Sequence, residues 1–382
     1  MVTTISPDRL KELQDGDGSS ALVDTRTPES FDAWHVSGAV NYPFGPDEDL
    51  ETNGQLDDIR ALVGDTDRLI TICGKGISSS NLATQLEDAA DEWEVLAVDG
   101  GMRAWSSVYD RVPVDVGDGV EVVQLQRRAK GCLSYVVGCV ATKAAVVVDP
   151  TDDPDAVKTA AGEAGLSIEG VIDTHVHADH VSGGRRLADD LGVPYSLGER
   201  ATERDLAFDF EAMGRNEVLS VGEVSIKALE TPGHTSDIIA LLVDDRAVLT
   251  ADTLHADSVG RTELEFGDDA GDRGARMLYE TLHRTLLSLP DDVCVLPGHV
   301  TVTPGGEFAV GRPGEPITTT IGEARTGLDV LQLAEEAFVE RLADPGEKPA
   351  NYEEIIEINR GVREFAPEER IELELGPNNC SA

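Results

Sequence analysis

The sequence predicts an α/β protein of two domains, and three observations predict it. The chain has 382 residues, more than one ordinary core of roughly 100–200 residues takes up. Short apolar runs alternate with helix-like stretches up to about residue 109, and a new pattern rich in strand-forming residues opens near residue 120.

Each element follows from its local pattern. Residues 21–24 (ALVD) and 69–73 (LITIC) read as buried strands, each ending at a polar or Gly-rich turn that leads into a helical stretch. Asn81 to Ala90 reads as a helix and Glu94 to Val98 as a strand, with Gly100-Gly101 punctuating the turn into MRAW. The first domain is placed at residues 1–112. The polar, Pro- and Gly-bearing stretch 111–119 (RVPVDVGDG) suits a linker, which the domain division puts at 113–119. The second domain is placed at 120–382. Its runs VEVVQLQ, CLSYVVGCV and AAVVVD read as consecutive antiparallel strands. Helices and strands then alternate to about residue 300, and a Gly/Pro-rich stretch (303–316) precedes a helical region, 322–343. There is no internal repeat.

Charge and composition narrow the function classes. There are 73 acidic against 31 basic residues, a formal charge of −42. Such a field repels nucleic acid and anionic membrane. The acids are spread along the whole chain, which reads as a solvated surface adapted to high salt; an acidic partner-binding face is the alternative. No apolar run has membrane length. The start, MVTTISPDRLKELQ, lacks the basic segment and apolar block of a secretory signal, so the expected location is the cytoplasm. The five cysteines (Cys73, Cys132, Cys139, Cys294, Cys380) are scattered and odd in number, as expected of reduced thiols. Cys132, Cys139 and Cys294 lie in apolar runs, where cysteine behaves as a small hydrophobe. The pattern gives Cys380 no physical role. A homo-oligomer is compatible with the sequence, which does not fix the assembly.

The run GVIDT leads directly into His175-Val176-His177-Ala178-Asp179-His180, three imidazoles and a carboxylate within one strand-to-helix turn. Histidine is the commonest metal ligand, and this donor mixture suits Zn²⁺ or Fe²⁺ better than Ca²⁺. His234 in TPGHTSD, Asp252 in LTADT and His299 in VLPGH each follow a predicted strand as well, which argues against unrelated surface histidines. His255 reads as a loop residue without a chemical role, and His283, within MLYETLHRTLL, as a packed or surface helix residue.

The HxHxDH run followed by single His, Asp and His positions resembles the metallo-β-lactamase superfamily over roughly residues 120–310. The resemblance implies an αββα sandwich with a metal at one edge of two packed sheets. All seven positions could serve a dinuclear Zn²⁺ hydrolase of the hydroxyacylglutathione hydrolase kind. A narrower resemblance lies in Leu249 to Glu263, LTADTLHADSVGRTE, which looks like the persulfide dioxygenase branch in its short loop and its GRT plus an acid. It implies one Fe²⁺ per chain on His175, His234 and Asp252. His177, Asp179, His180 and His299 would then support these ligands, or hold a second metal in the dinuclear case. Two His and one carboxylate leave open positions on Fe²⁺ for a persulfide and O₂, whereas Zn²⁺ lacks redox chemistry and activates water for hydrolysis.

In the first domain the strand LITIC delivers Cys73 into a Gly-rich turn, Gly74-Lys75-Gly76-Ile77-Ser78, ahead of a helix. Inward N–H groups of such a turn favour a thiolate and an anionic sulfur species. A buried inert cysteine is the plain alternative. Three segments in order resemble rhodanese signatures: LVDTRTPESFDAWHVSGAVNYPF, CGKGISSS and VDGGMRAW. The resemblance covers residues 3 to 110 or so, and implies that Cys73 accepts sulfane sulfur as a persulfide. It departs from the family at Ser78, where Arg is frequent, leaving Lys75 as the nearby base. An inactive, regulatory module is therefore also open. Asp24, Arg26, His35, Trp34 and Trp105 read as framework.

The function these resemblances imply is oxidation of a low-molecular-weight thiol persulfide by O₂ to sulfite, coupled to sulfur transfer through Cys73. A dinuclear zinc thioester hydrolase with a regulatory rhodanese module is the alternative. The expected partner is a small sulfane-sulfur donor; glutathione as its carrier is a family inference only.

Overall fold

The computed structural model describes residues 2–16, 19–50, 54–266, 271–342, 348–349 and 351–377. Cys380 lies outside them.

Five strands form a parallel sheet in the order Thr3–Ile5, Glu94–Val98, Arg68–Ile72, Ser20–Asp24, Ala39–Asn41. Alternation along the strands assigns their side chains to two cores. Leu22, Ile70, Ile72 and Leu96 face the helices Pro7–Asp15 and Gly101–Trp105, through Leu10, Met102 and Trp105. Val23, Leu69, Val95 and Ala97 face Gln55–Val63 and Ile77–Ala89, through Ile59, Leu82 and Leu86. The helix after Cys73 starts at Ile77, earlier than the Asn81 expected. Gly76, at φ 85°, turns the chain straight into it, so the cysteine loop ends on the helix N-terminus.

The second domain stacks two sheets. One runs Glu211–Met213, Tyr195–Gly198, Ser167–Ile172, Ala144–Val148, Leu133–Cys139, Val120–Arg127, Tyr109–Val114. The other runs Val218–Val221, Val224–Glu230, Ile239–Val243, Ala247–Ala251, Cys294–Pro297, Thr319–Thr320. Val122, Val137, Val146 and Ile172 meet Ile226, Leu241, Leu249 and Leu296 in the core between them. Helices Pro154–Glu163 and Gly184–Leu191 cover the outer face of the first sheet, and Gly271–Arg284 and Glu335–Leu342 that of the second. This is the αββα sandwich.

The linker expectation needs correction. Residues 111–114 belong to the strand Tyr109–Val114, paired antiparallel with Val120–Arg127 from Tyr109↔Arg127 to Val114↔Val122. Pro113 is tolerated because this strand is the edge of its sheet, where a missing N–H breaks no ladder. Only residues 115–119 make the turn. The domains are also pinned by Arg128, whose guanidinium meets Asp110 and Asp15, each at 2.5 Å. The His35 N–H adds a bond to the Pro304 carbonyl at 2.9 Å.

After the expected helical region, which forms as Ile321–Gly327 and Glu335–Leu342, two further helices, Tyr352–Asn359 and Pro367–Leu373, fold back over the sandwich. Ile355 and Ile358 pack on Val181, and Tyr352 and Ile356 on Ala178 and Leu264. No helix among the described residues is long and apolar enough to cross a membrane.

Candidate functional site

Four strand ends converge at one edge of the two sheets. Ser167–Ile172 leads into the turn carrying His175 to His180, Val224–Glu230 precedes His234, Ala247–Ala251 precedes Asp252, and Cys294–Pro297 precedes His299. All seven side chains are buried. The third of these strand ends is aimed by an irregularity. The register of Ala247–Ala251 shifts between Leu249 and Ala251, and Ala251 takes φ 47°, a left-handed conformation that costs a non-glycine residue roughly 1–3 kcal/mol. The strain turns Asp252 into the site.

Ligand atoms of His175, His234 and Asp252 all lie within 4.8 Å of one another. Asp252 Oδ2 is 3.5 Å from His234 Nε2 and 3.8 Å from His175 Nε2. These three atoms are buried and make no hydrogen bond. An unsatisfied buried polar group costs about 1–3 kcal/mol, so three on one point need a common partner, and a cation fits two imidazole nitrogens and a carboxylate. The rings are already turned for it. His234 Nδ1–H donates to the Arg261 carbonyl at 2.7 Å. Thr174 Oγ1 spends its proton on Asp149 Oδ2 at 2.9 Å and so accepts from His175 Nδ1–H at 3.0 Å. Both Nε2 lone pairs therefore face inward.

The remaining four ligand candidates each meet a neighbouring charged or imidazole group, while His177 Nδ1 and His180 Nε2 are buried without a hydrogen bond. His180 Nδ1 lies 2.8 Å from Asp179 Oδ2, and His299 spans two carboxylates, with Nε2 2.8 Å from Asp179 Oδ2 and Nδ1 2.5 Å from Asp252 Oδ1. Burial alone would raise both aspartates. Their histidine neighbours outweigh it and hold both well below the carboxylate range. His177 Nε2 sits 3.2 Å from Asp149 Oδ1; against its burial, Asp149 raises this imidazole to about 10.

At the first domain's loop, Cys73 is 4% exposed. Its sulfur accepts the Gly76 N–H at 3.1 Å and the Ser79 hydroxyl at 3.3 Å. Burial pushes the thiol up, but hydrogen bonds from Ser78 and Ser79 and from backbone N–H groups prevail and lower it. Gly101 closes the loop from behind: at φ 59° a Cβ there would lie 2.1 Å from the Cys73 carbonyl oxygen.

Comparison with known families agrees with both folds. Residues 6–108 match the rhodanese-like domain, and residues 127–299 match the metallo-beta-lactamase superfamily. The chain is a rhodanese-like domain joined to a metallo-beta-lactamase domain. Among its relatives, a hydroxyacylglutathione hydrolase of Polaromonas is 27% identical over 232 residues, 55% of this chain and 85% of that one. A beta-lactamase hydrolase-like protein of Xylella fastidiosa is 27% identical over 195 residues, but the chain spans only 44% of its length. In structure, ETHE1 from Myxococcus xanthus superposes with a TM-score of 0.54 and 26% identity, covering 63% of this chain and 97% of that one.

Within the metallo-beta-lactamase domain, two side chains have roles the sequence reading did not give them. His255 is fully buried, with Nε2 3.4 Å from Asp252 Oδ1 and Nδ1 3.2 Å from Ser258 Oγ, so it belongs to the site rather than to an idle loop. Cys132 is no mere strand hydrophobe: just before Leu133–Cys139 and bridged to His299, it lies with Asp179, His180 and His299 in one group of ligand atoms within 4.8 Å. Its only sequence signal was an apolar run. The GRT motif acts through structure. Arg261 is fully buried and donates to Glu263 at 2.6 Å while its carbonyl holds His234. A Cβ on Gly260 would lie 1.8 Å from the Asp252 carbonyl oxygen, so only glycine lets that loop close.

Within the rhodanese-like domain, Ser78 hydrogen-bonds Thr25 at 2.9 Å, and Lys75 lies 2.9 Å from Glu372 of the C-terminal helix. Asp24 and Arg26 form a buried ion pair at 2.6 Å, and Arg26 also donates to the Trp34 carbonyl, as framework residues would. His283 is a half-buried residue of Gly271–Arg284.

Proposed function

We propose that the metallo-beta-lactamase domain is a mononuclear iron persulfide dioxygenase, and that Cys73 of the rhodanese-like domain exchanges sulfane sulfur with the same small-molecule pool. One observation carries this reading: His175 Nε2, His234 Nε2 and Asp252 Oδ2 converge, buried and without a hydrogen bond, as a set of two imidazoles and one carboxylate. His175, His234 and Asp252 would hold iron, which would supply redox chemistry that zinc lacks, with positions left open for O₂ and a persulfide sulfur. The protein's own share is orientation. Arg261 and Thr174 fix the two rings, Asp149 and Asp237 fix the turn through the Thr174 and Val176 N–H groups, and the buried setting limits water. In the balanced reaction, one persulfide, one O₂ and one water give the thiol and sulfurous acid, which ionises to sulfite. At Cys73 the lowered thiol attacks a sulfane sulfur, the donor leaves as its anion, and the persulfide formed passes its outer sulfur to an acceptor thiolate.

The presence of both functions in one chain supports the reading, since one makes or consumes the species the other oxidises. The short connection keeps the two sites at high effective concentration. The proposed setting is the cytoplasm, with a low-molecular-weight thiol persulfide as substrate.

A dinuclear zinc thioester hydrolase is the second reading. The gathering of all seven positions and the hydroxyacylglutathione hydrolase relative favour it. Metal content and O₂ uptake of anaerobically purified protein, given a thiol persulfide in molar salt, decide between them. One iron per chain with stoichiometric sulfite is expected; two zincs and no O₂ uptake would replace the dioxygenase with the hydrolase.

A further inference from the structure

We infer that the C-terminal segment 351–377 is a brace for the metal-binding turn, in which Asn359 and Glu374 act as positioning residues. The inference rests on metal binding by this turn and not on the reaction catalysed there.

The turn that carries His175 to His180 is buried, and its backbone groups need partners that neither sheet supplies. Asn359 supplies three. Its Nδ2 donates to the carbonyls of His177 at 2.9 Å and His180 at 2.8 Å, and its Oδ1 accepts the Ser182 N–H at 2.9 Å. The amide can face only this way, because two of its neighbours only accept and the third only donates. One side chain thus fixes the backbone at two histidines of the metal-binding turn and at its exit, and with it the path of the turn that also carries His175.

Glu374 fixes the stretch between. Its Oε1 accepts the Val181 N–H at 2.7 Å, its Oε2 pairs with Arg127 at 3.2 Å, and its carbonyl accepts from Lys130 at 3.3 Å. Glu374 and Arg127 are each 3% exposed, so this carboxylate lies in the interior with its charge compensated. Apolar contacts hold both residues in place: Ile355 and Ile358 on the same helix as Asn359, and Leu373 beside Glu374, all pack with Val181. The brace reaches the other domain too. Glu372 meets Lys75 of the cysteine loop at 2.9 Å, and the Glu368 carbonyl accepts from Arg103 at 3.3 Å. A single short helix therefore touches both the cysteine loop and the backbone next to His180.

The test is cobalt(II) binding to the full chain. Asn359→Asp keeps the acceptor for Ser182 and sets an oxygen against the two carbonyls; Asn359→Ser removes both donors without adding charge. Supporting groups around metal ligands are typically worth about 10–100-fold in affinity. Chelator competition should show a loss of that order, with a changed visible cobalt spectrum and a melt that stays cooperative. Unchanged affinity and spectrum in a folded variant would overturn the inference. So would loss of cooperative melting in both variants, because Asn359 would then serve the whole fold rather than the turn. Zinc rather than iron in the native protein would sink the dioxygenase and leave this result untouched.

Discussion

His255 Nε2 lies 3.4 Å from Oδ1 of Asp252, with both side chains buried. The other carboxylate oxygen, Oδ2, is the one directed at the imidazoles of His175 and His234. His255 therefore acts on this candidate ligand from behind, steadying the oxygen that does not face the triad.

His255→Ala should lower metal affinity about 10–100-fold with the fold retained, as expected for loss of a group that orients a ligand. His255→Gln, which keeps an N–H donor, should fall between. Equal chelator competition curves for wild type and His255→Ala would remove His255 from the site.

Cys73 should be alkylated with a pH profile displaced to the acid side of a free cysteine's. Its thiol is lowered, so the thiolate persists at pH values where an ordinary cysteine is protonated. Ser79→Ala removes one donor to the sulfur and should move the profile back toward alkaline pH, with Cys73→Ser as the blank. Coincident profiles for wild type and Ser79→Ala would show that the hydroxyl does not tune the thiol.

Glu374→Ala should destabilise the protein by about 3–5 kcal/mol, because it strands the buried guanidinium of Arg127. The remaining bond from Arg127 Nε to the Ser106 carbonyl, at 2.6 Å, places the expectation at the lower end. Urea unfolding at fixed salt measures it. A change below 1 kcal/mol, the range of exposed pairs, would mean that water reaches the pair.

With 73 acidic and 31 basic residues, the melting temperature should fall as salt is withdrawn, since screening relieves the repulsion among like charges. An unchanged melt between low and molar salt would assign the acidic surface to some other purpose, with an acidic partner-binding face next in line.

The sequence showed most clearly what is written locally. The strand Glu94–Val98 was legible as a short apolar run ahead of the Gly100-Gly101 turn, and the seven ligand candidates from their places after predicted strands. His255 was not legible, because a lone histidine three residues beyond an aspartate gives no sign of whether the loop turns back; here Gly260 lets it do so. The strand through Arg111–Val114 was missed because Pro113 reads as a breaker unless the strand is known to be an edge.

By itself the sequence determined the two domains, the donor types at each site and the cysteine loop, since residue chemistry and short-range spacing are properties of the chain. Tertiary structure alone decided which donor atoms converge within reach of one ion. It also brought Asn359 and Glu374 from the C-terminal helices onto the turn at His177–Val181, and Cys132 beside His299. Contacts between residues far apart in sequence depend on how whole layers pack, and no local pattern carries that information.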